Sequence, residues 1–268
     1  MVTTTAGRSE RTGRLAAGLQ LRPDLEAVVA AADIVVSIGP PAAAVDMAGD
    51  IAAAGAAGGS APVVADLNAI SPATVGKVAA ALAPAGCDLI DGSISGGPPT
   101  PTSSTHLYLS GPSAQLLADL PAPGLVATIV GAEIGTASAV KMSTAAIYKG
   151  FTALVVQSLR TAHANGVLDL VLTDLGEEFG PLVDNSAVRI AMAAAKAERY
   201  VGEMREIADT QQAAGARREL YDAMAVVYES LAGTELATMP PESAAAATDL
   251  ADTLELLARV AAVSTQPS

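Results

Sequence analysis

The spacing of apolar residues changes near the middle of the chain. Up to about residue 130, short apolar runs recur and are closed by glycine, proline or serine. They occupy residues 2–6, 33–38, 61–67, 87–90, 106–110 and 125–130. Runs this short, rich in β-branched residues and bounded by turn formers, read as strands. Helical patterns lie between several of them, at residues 25–31, 42–54 and 72–83. The third opens on Ser71-Pro72, an N-cap followed by proline at the first helical position. Strands alternating with helices imply a doubly wound, mostly parallel sheet.

From Gly131 to Gly166 the period becomes helical. Val140, Ile147, Phe151, Leu154, Val155 and Leu159 recur at helical spacing, and Gly166 sits where a C-terminal cap is expected. Such a helix has about 25 to 30 residues and spans roughly 40 Å. That is long enough to join two domains and form a wall of each. Beyond it no strand pattern returns. Residues 168–178, 185–207, 210–232 and 243–263 read as helices, with Pro240-Pro241 separating the last two. The expected organisation is a Rossmann-like domain over residues 1–132 and an all-helical domain over residues 133–268.

Composition narrows the function. The chain has 268 residues, a net charge of -13 and 3 % aromatic residues. An acidic chain poor in aromatics is unsuited to holding nucleic acid through a basic or base-stacking surface. An anionic ligand would need a local arginine or a helix N-terminus. Hydrophobic residues make up 51 %, but many are alanine, and no apolar run is long enough to span a membrane. The lone Cys87 and the two histidines, His106 and His163, point to no metal centre. The opening residues lack a basic-then-apolar leader pattern, so a cytoplasmic location is expected.

Three stretches carry candidate chemistry. Lys141 follows Ala-Ser-Ala-Val, and Tyr148 lies two turns on along the same helical face. A lysine and a tyrosine so placed can polarise a carbonyl and deliver a proton. Alternatively, the lysine extends to solvent and the tyrosine packs with its hydroxyl outward. Gly7-Arg8-Ser9 follows the first apolar run, where an arginine can grip a phosphate or merely solvate a turn. Ser95-Gly96-Gly97 follows another, at the carboxyl edge of the expected sheet, where its amides can donate to an oxyanion.

Taken together, these features resemble the β-hydroxyacid dehydrogenase superfamily, which includes 3-hydroxyisobutyrate dehydrogenases, 6-phosphogluconate dehydrogenases and imine reductases. The Asp-x-x-x-Ser-Gly-Gly substrate-loop pattern stands at Asp91 to Gly97. The Gly-x-x-x-Gly-x-x-x-x-x-Lys pattern stands at Gly131 to Lys141, and the Asp-x-x-x-x-Ser-Pro stretch at Asp66 to Pro72. The Lys-Met opening and the run Arg199-Tyr200 to Glu203-Met204-Arg205-Glu206 resemble a branch near the imine reductases.

The resemblance implies an α/β fold: an N-terminally shortened Rossmann-like doubly wound sheet followed by an all-α domain. It implies an NADP-dependent oxidoreductase acting on a small carbonyl, imine or hydroxy compound. Lys141 would be the acid/base, with Tyr148 as a second catalytic candidate. Gly7, Arg8 and Ser9 would hold the 2′-phosphate, while Ser37, Ile38, Gly39, Pro40, Pro41 and Asn68 would line the cofactor. Ser95, Gly96 and Gly97 would bind substrate. Association as a homodimer through the helical domain is also implied, along a stripe such as Leu220, Met224, Val227 and Leu231.

The chain departs from the family pattern in two places. The sequence begins where the family's second strand would, so the first strand and Gly-x-Gly-x-x-Gly loop do not stand before Val2, either because the sequence starts late or because the chain is a remodelled relative. Ala145 stands where the family has an asparagine. The first departure keeps a rival expectation open: a cofactor-independent enzyme, or a non-catalytic binding protein, on a degraded dehydrogenase fold.

Overall fold

The computed structural model describes residues 1–4, 13–14, 16–100, 102–120 and 123–260. The chain forms two compact units, Met1–Ser143 and Thr144–Ser268. The sequence pattern put the boundary at 132/133; here the first two turns of the long helix belong to the first unit.

The main sheet of the first unit has five strands: β3 (Ile34–Ser37), β4 (Val63–Asp66), β5 (Leu89–Ser95), β6 (Thr105–Ser110) and β7 (Leu125–Gly131). They lie in sequence order, all adjacent pairs parallel except β5 with β6. That exception follows from loop length. Residues 96–104 connect β5 to β6, and a parallel crossover needs a dozen residues or more. Helices α1 (Leu25–Val29), α2 (Ala44–Gly58) and α3 (Pro72–Leu82) pack beside β3 to β5. Ile51, Val64, Ile70, Val75, Val78, Leu82 and Leu89 are buried in that cluster. Each such side chain contributes about 1.5–3 kcal/mol on full burial. A second cluster holds Ala65, Ile90, Leu107 and Leu109, with Ala114 from α4 (Ala114–Ala118). Successive strand residues feed different clusters, so both faces of the central strands are covered and the runs read as continuously apolar.

Local signals are realised where they were expected. The Ser71 side chain accepts a hydrogen bond from the Thr74 amide and caps α3. Helix α5 runs Thr136–Ala164, 29 residues. Gly166, at φ +69°, ends it, with Val167 N–H donating to Ala162 O at 3.0 Å.

The first apolar run behaves differently from the pattern. Its described part is β1 (Val2–Thr3), which pairs in parallel with β2 (Gln20–Leu21) in a separate two-stranded sheet and does not join the five-stranded one. Gln20–Leu21 is too short and too polar to signal a strand on its own; pairing creates it.

The second unit is helical. It holds the rest of α5 with α6 (Leu168–Val183), α7 (Ser186–Ala194), α8 (Ala197–Ala213), α9 (Glu219–Ala232), α10 (Pro241–Ala244) and α11 (Leu250–Ala258). Val156, Leu159, Ile190, Met204, Ile207, Tyr228, Leu231, Leu254 and Leu257 are buried in this unit. The single helix expected over 185–207 is broken at Ala195–Lys196, inside an alanine-rich stretch whose even hydrophobicity conceals the turn. The next break falls after Ala213 instead of near residue 208. Met224 and Leu231 of the expected interface stripe are buried within the unit, while Leu220 is exposed. Among the described residues no helix is long and apolar enough to cross a membrane, and no group of acidic, histidine or cysteine side chains is arranged to hold a metal ion.

Candidate active site

A row of polar residues crosses the first unit's sheet. Strand register sets Ser37 beside Asp66, Asp66 beside Asp91 and Asp91 beside Ser110. All four are buried, the two carboxylates at 2 % and 1 % exposure. Neighbours in register project to the same face, so the row is continuous. Buried carboxylates without a cation must be satisfied by hydrogen bonds.

Asp66 is satisfied by Asn68. The Asn68 amide donates to Oδ1 at 3.0 Å and its Nδ2 donates to Oδ2 at 2.8 Å. Asn68 then reaches β3: its Oδ1 accepts from Gly39 N–H at 2.5 Å, and its Nδ2 lies 3.3 Å from Ser37 Oγ. This shapes the turn Ser37 to Pro41, in which Ile38, Gly39 and Pro40 are exposed. Burial pushes the Asp66 carboxyl up from its ordinary value to about 6; the bonds from Asn68 oppose that push, and the charge of Asp91 adds to it.

Asp91 anchors the start of α5. Its Oδ2 accepts from Ser110 Oγ at 2.8 Å, Gly135 N–H at 2.8 Å and Ser138 N–H at 3.1 Å. Its Oδ1 accepts from Ser138 Oγ at 2.6 Å. Ala137 N–H donates to Ser110 Oγ at 3.1 Å, and Ser93 Oγ donates to Ala137 O at 3.0 Å. Two first-turn amides of α5 are thus paired by side chains from β5 and β6, and a negative charge sits at the helix's positive end. Gly135 makes the entry turn at φ +93°, where a Cβ would lie 3.2 Å from Pro72 Cβ.

This anchoring sets the position of Lys141. Its Nζ donates to Ile94 O at 2.6 Å, on the residue preceding Ser95. The substrate-loop candidates Ser95, Gly96 and Gly97 therefore lie just beyond the lysine's contact point, with both glycines exposed. Thr105 Oγ1 donates to Gly97 O and steadies the loop. Sequence reasoning gave His106 no role, yet it is exposed, stands opposite Ser95 in the antiparallel pair and stacks on Tyr108 with centroids 6.2 Å apart. Only strand register could reveal that neighbour.

The remaining candidates fall elsewhere. Gly7, Arg8 and Ser9 lie outside the described residues. Tyr148 belongs to the second unit and is 70 % exposed. Ala145 is buried in the second unit, and as an alanine it carries no side-chain amide. Ser37, Ile38, Gly39, Pro40, Pro41 and Asn68 form the turn described above, which Asn68 ties to Ser37 and Gly39. The Gly39 amide is already taken by Asn68.

In the second unit, the Arg199-Tyr200 to Glu206 run builds a polar cluster. Glu203 is buried and pairs with Lys149 at 2.7 Å and Arg199 at 3.0 Å. Lys149 also lies over the Tyr200 ring, 4.9 Å from its centroid. Burial, then the neighbouring charges of Arg199 and Lys149, hold the Lys196 amine below its ordinary value. Tyr228 donates to Lys149 O at 2.8 Å and meets Tyr200 edge to face.

Comparison with known proteins agrees with this architecture. The family described as "Domain of unknown function (DUF1932)" matches residues 162–231. No curated protein matches the chain in sequence. Among solved structures, the chain is similar to conserved protein MTH1747 of unknown function, itself described as structurally similar to 3-hydroxyacid dehydrogenases. That match has 25 % identity, a TM-score of 0.61 and coverage of 86 % of each chain. It is similar to a Mycobacterium tuberculosis 3-hydroxyisobutyrate dehydrogenase solved with L-serine, at 18 % identity and TM-score 0.59, covering 92 % of this chain and 86 % of the other. It is also similar to an Aspergillus terreus reductive aminase in complex with NADPH and ethyl levulinate, at 14 % identity and TM-score 0.53, covering 95 % and 89 %. The fold therefore matches the superfamily that the sequence motifs resemble.

Proposed function

We propose that this chain is a cytoplasmic nicotinamide-dependent oxidoreductase of the β-hydroxyacid dehydrogenase and imine reductase type, acting on a small carbonyl, imine or hydroxy compound. The observation that carries the reading is Lys141 Nζ, held 2.6 Å from Ile94 O at the mouth of the Ser95–Gly97 loop. A lysine in that position supplies a proton at Nζ to a substrate oxygen or nitrogen, or accepts one in the reverse direction. The Ser95 hydroxyl and the loop amides orient the substrate's polar end. Asp91 keeps the first turn of α5, and with it Lys141, aimed at the loop. The nicotinamide, when bound, supplies or accepts the hydride. Ser37 to Pro41 and Asn68 would line its ribose and ring, and Arg8 would favour NADP over NAD. Exposed apolar side chains on the helical unit, Ile147, Leu154, Leu170 and Val226, support association as a homodimer.

A second reading rests on a separate observation. β1, the strand preceding Arg8, pairs with β2 outside the main sheet. A binding protein or cofactor-independent enzyme on this fold is consistent with that arrangement. Calorimetry with NADP and NAD separates the two readings. The oxidoreductase reading expects binding of at least one nucleotide, and its absence at millimolar concentration refutes that reading. Lys141→Met then tests the acid/base. Turnover, followed by nicotinamide absorbance with small hydroxy acids and imines, should fall by roughly 10²- to 10⁴-fold with nucleotide binding intact. Activity within a few-fold of the parent would remove Lys141 from the chemistry.

A further inference from the structure

Building on the oxidoreductase reading of the Lys141 site, we propose that His106 is its specificity residue. The imidazole donates a hydrogen bond to an oxygen acceptor that the substrate carries besides its reacting group.

Strand register puts the ring in place. Side chains alternate along a strand, so Asp91, Ser93 and Ser95 share one face of β5. Ser110, Tyr108 and His106 stand opposite them on β6, in that order. Directly opposed residues project to the same side, with Cβ atoms about 5 Å apart. This is the side that carries the start of α5, since Asp91 accepts from Ser138 and Ser93 donates to Ala137 O. Lys141 follows Ala137 by one helical turn and reaches Ile94 O. The lysine amine, the Ser95 hydroxyl and the His106 ring therefore gather at one end of this face. Exposure rises toward that end. Asp91, Ser93 and Ser110 are buried, Ser95 and Tyr108 are half-buried, and His106 is exposed. The polar face is sealed where α5 begins and open where the lysine lands.

His106 is held in position with its polar edge unused. The ring stacks on Tyr108, with centroids 6.2 Å apart and planes within 12°. Pairing of this kind fixes the plane of a ring while leaving its edge, where both nitrogens lie, uncovered. Strand β6 is interior to the sheet, paired with β5 and β7. Thr105, next to His106, is buried and donates to Gly97 O, so the imidazole keeps its place relative to the Ser95–Gly97 loop. No hydrogen bond joins either ring nitrogen to another described residue. A neutral imidazole carries one N–H and a protonated one carries two, so the ring can donate in either state. Its complement is an acceptor oxygen. A substrate with only the reacting group leaves that donor to water; one with a second oxygen, about one cross-strand spacing from Ser95, engages it.

The test exploits the chain's two histidines, His106 and His163. Their Cε1 protons give two NMR lines in the untagged protein, assigned by the loss of one in His106→Phe. At fixed pH, methyl acetoacetate should shift the His106 line saturably and leave the His163 line in place. Methyl butyl ketone, a chain of equal length without the ester oxygens, should move the His106 line far less. The ratio of kcat/KM for the first ketone over the second, followed by nicotinamide absorbance, should fall roughly three- to tenfold in His106→Phe, the contribution of one hydrogen bond. Phenylalanine preserves the stack on Tyr108, so a purely structural role would leave the ratio unchanged. His106→Gln restores a donor and should recover most of the ratio. Three results overturn the proposal: no saturable shift of the His106 line, equal shifts with both ketones, or a ratio unchanged in His106→Phe. The NMR titration decides the matter if neither ketone is turned over. A His106 shift without nucleotide binding would refute the oxidoreductase reading and keep this recognition site. Turnover that is lost in Lys141→Met, with no His106 response in the parent, would keep that reading and overturn the role of His106.

Discussion

Replacing Asp91 tests the link between the sheet and the start of α5. Its two oxygens carry different loads. Oδ2 accepts three bonds, two of them from backbone amides, whereas Oδ1 accepts one, from a serine hydroxyl. In Asp91→Asn the amide nitrogen can take the Oδ1 position, because the Ser138 hydroxyl can rotate and accept. The other three bonds survive as neutral ones. Each changes from a charge-assisted to a neutral hydrogen bond, a loss of about 1 kcal/mol. Relief from burying an unpaired carboxylate offsets part of that, leaving a net cost of about 1–2 kcal/mol. Asp91→Ala is different. It strands the Gly135 and Ser138 amides at about 1–3 kcal/mol apiece, and it opens a small void. Its expected cost is about 3–6 kcal/mol, well above that of the asparagine variant.

Urea unfolding followed by circular dichroism gives both values at one pH. Hydrogen exchange adds a local reading, because the Gly135 and Ser138 amides should lose protection in the alanine variant and largely keep it in the asparagine variant. Equal costs for the two variants would refute the assignment of the bonds. A cost below about 1 kcal/mol for Asp91→Ala would show that the helix start does not depend on this carboxylate.

Asp66 should make stability depend on pH. Its folded value of about 6 lies above its ordinary 3.8, so between those limits the folded state binds more protons than the unfolded chain. Stability from this group is present in full below the lower value and is lost as pH rises to the upper one, by about 3 kcal/mol taken alone. Asp66→Asn should flatten that part of a urea-midpoint profile, and parallel profiles for parent and variant would contradict the shift. Gly135→Ala places a Cβ 3.2 Å from Pro72 Cβ on a backbone at φ +93°. It should cost roughly 1–3 kcal/mol, read as a lowered melting temperature, and an unchanged melt would mean the entry turn is not constrained.

Much of the architecture was legible in the residues themselves. Ser71-Pro72 marks the start of α3, and Gly166 marks the end of a 29-residue helix. These signals are complete within a few neighbouring positions, since caps and periodicity depend on bonds between residues one turn apart. The apolar run of β4 and the start of β5 were readable for a related reason: strands covered on both faces need nearly continuous hydrophobicity. The position of Lys141 seven residues before Tyr148 was also visible, but what each side chain meets was not.

Tertiary structure decided the rest. Asp91 was visible as the head of a loop motif, yet its work is done by pairing with Ser110, Gly135 and Ser138, which only folding brings to it. The polar row Ser37, Asp66, Asp91, Ser110 exists through strand register, a property that no single segment possesses. The pairing of Gln20–Leu21, the reversal at β6 and the turn at Ala195–Lys196 depend in the same way on partners, loop reach and packing. Arg189 is the plainest case. In the sequence it is one of the chain's basic residues; in the fold its Nε is a buried donor with no partner among the described residues. Whether a charged group is matched depends on distances between residues far apart along the chain, and those distances are set when the cores close.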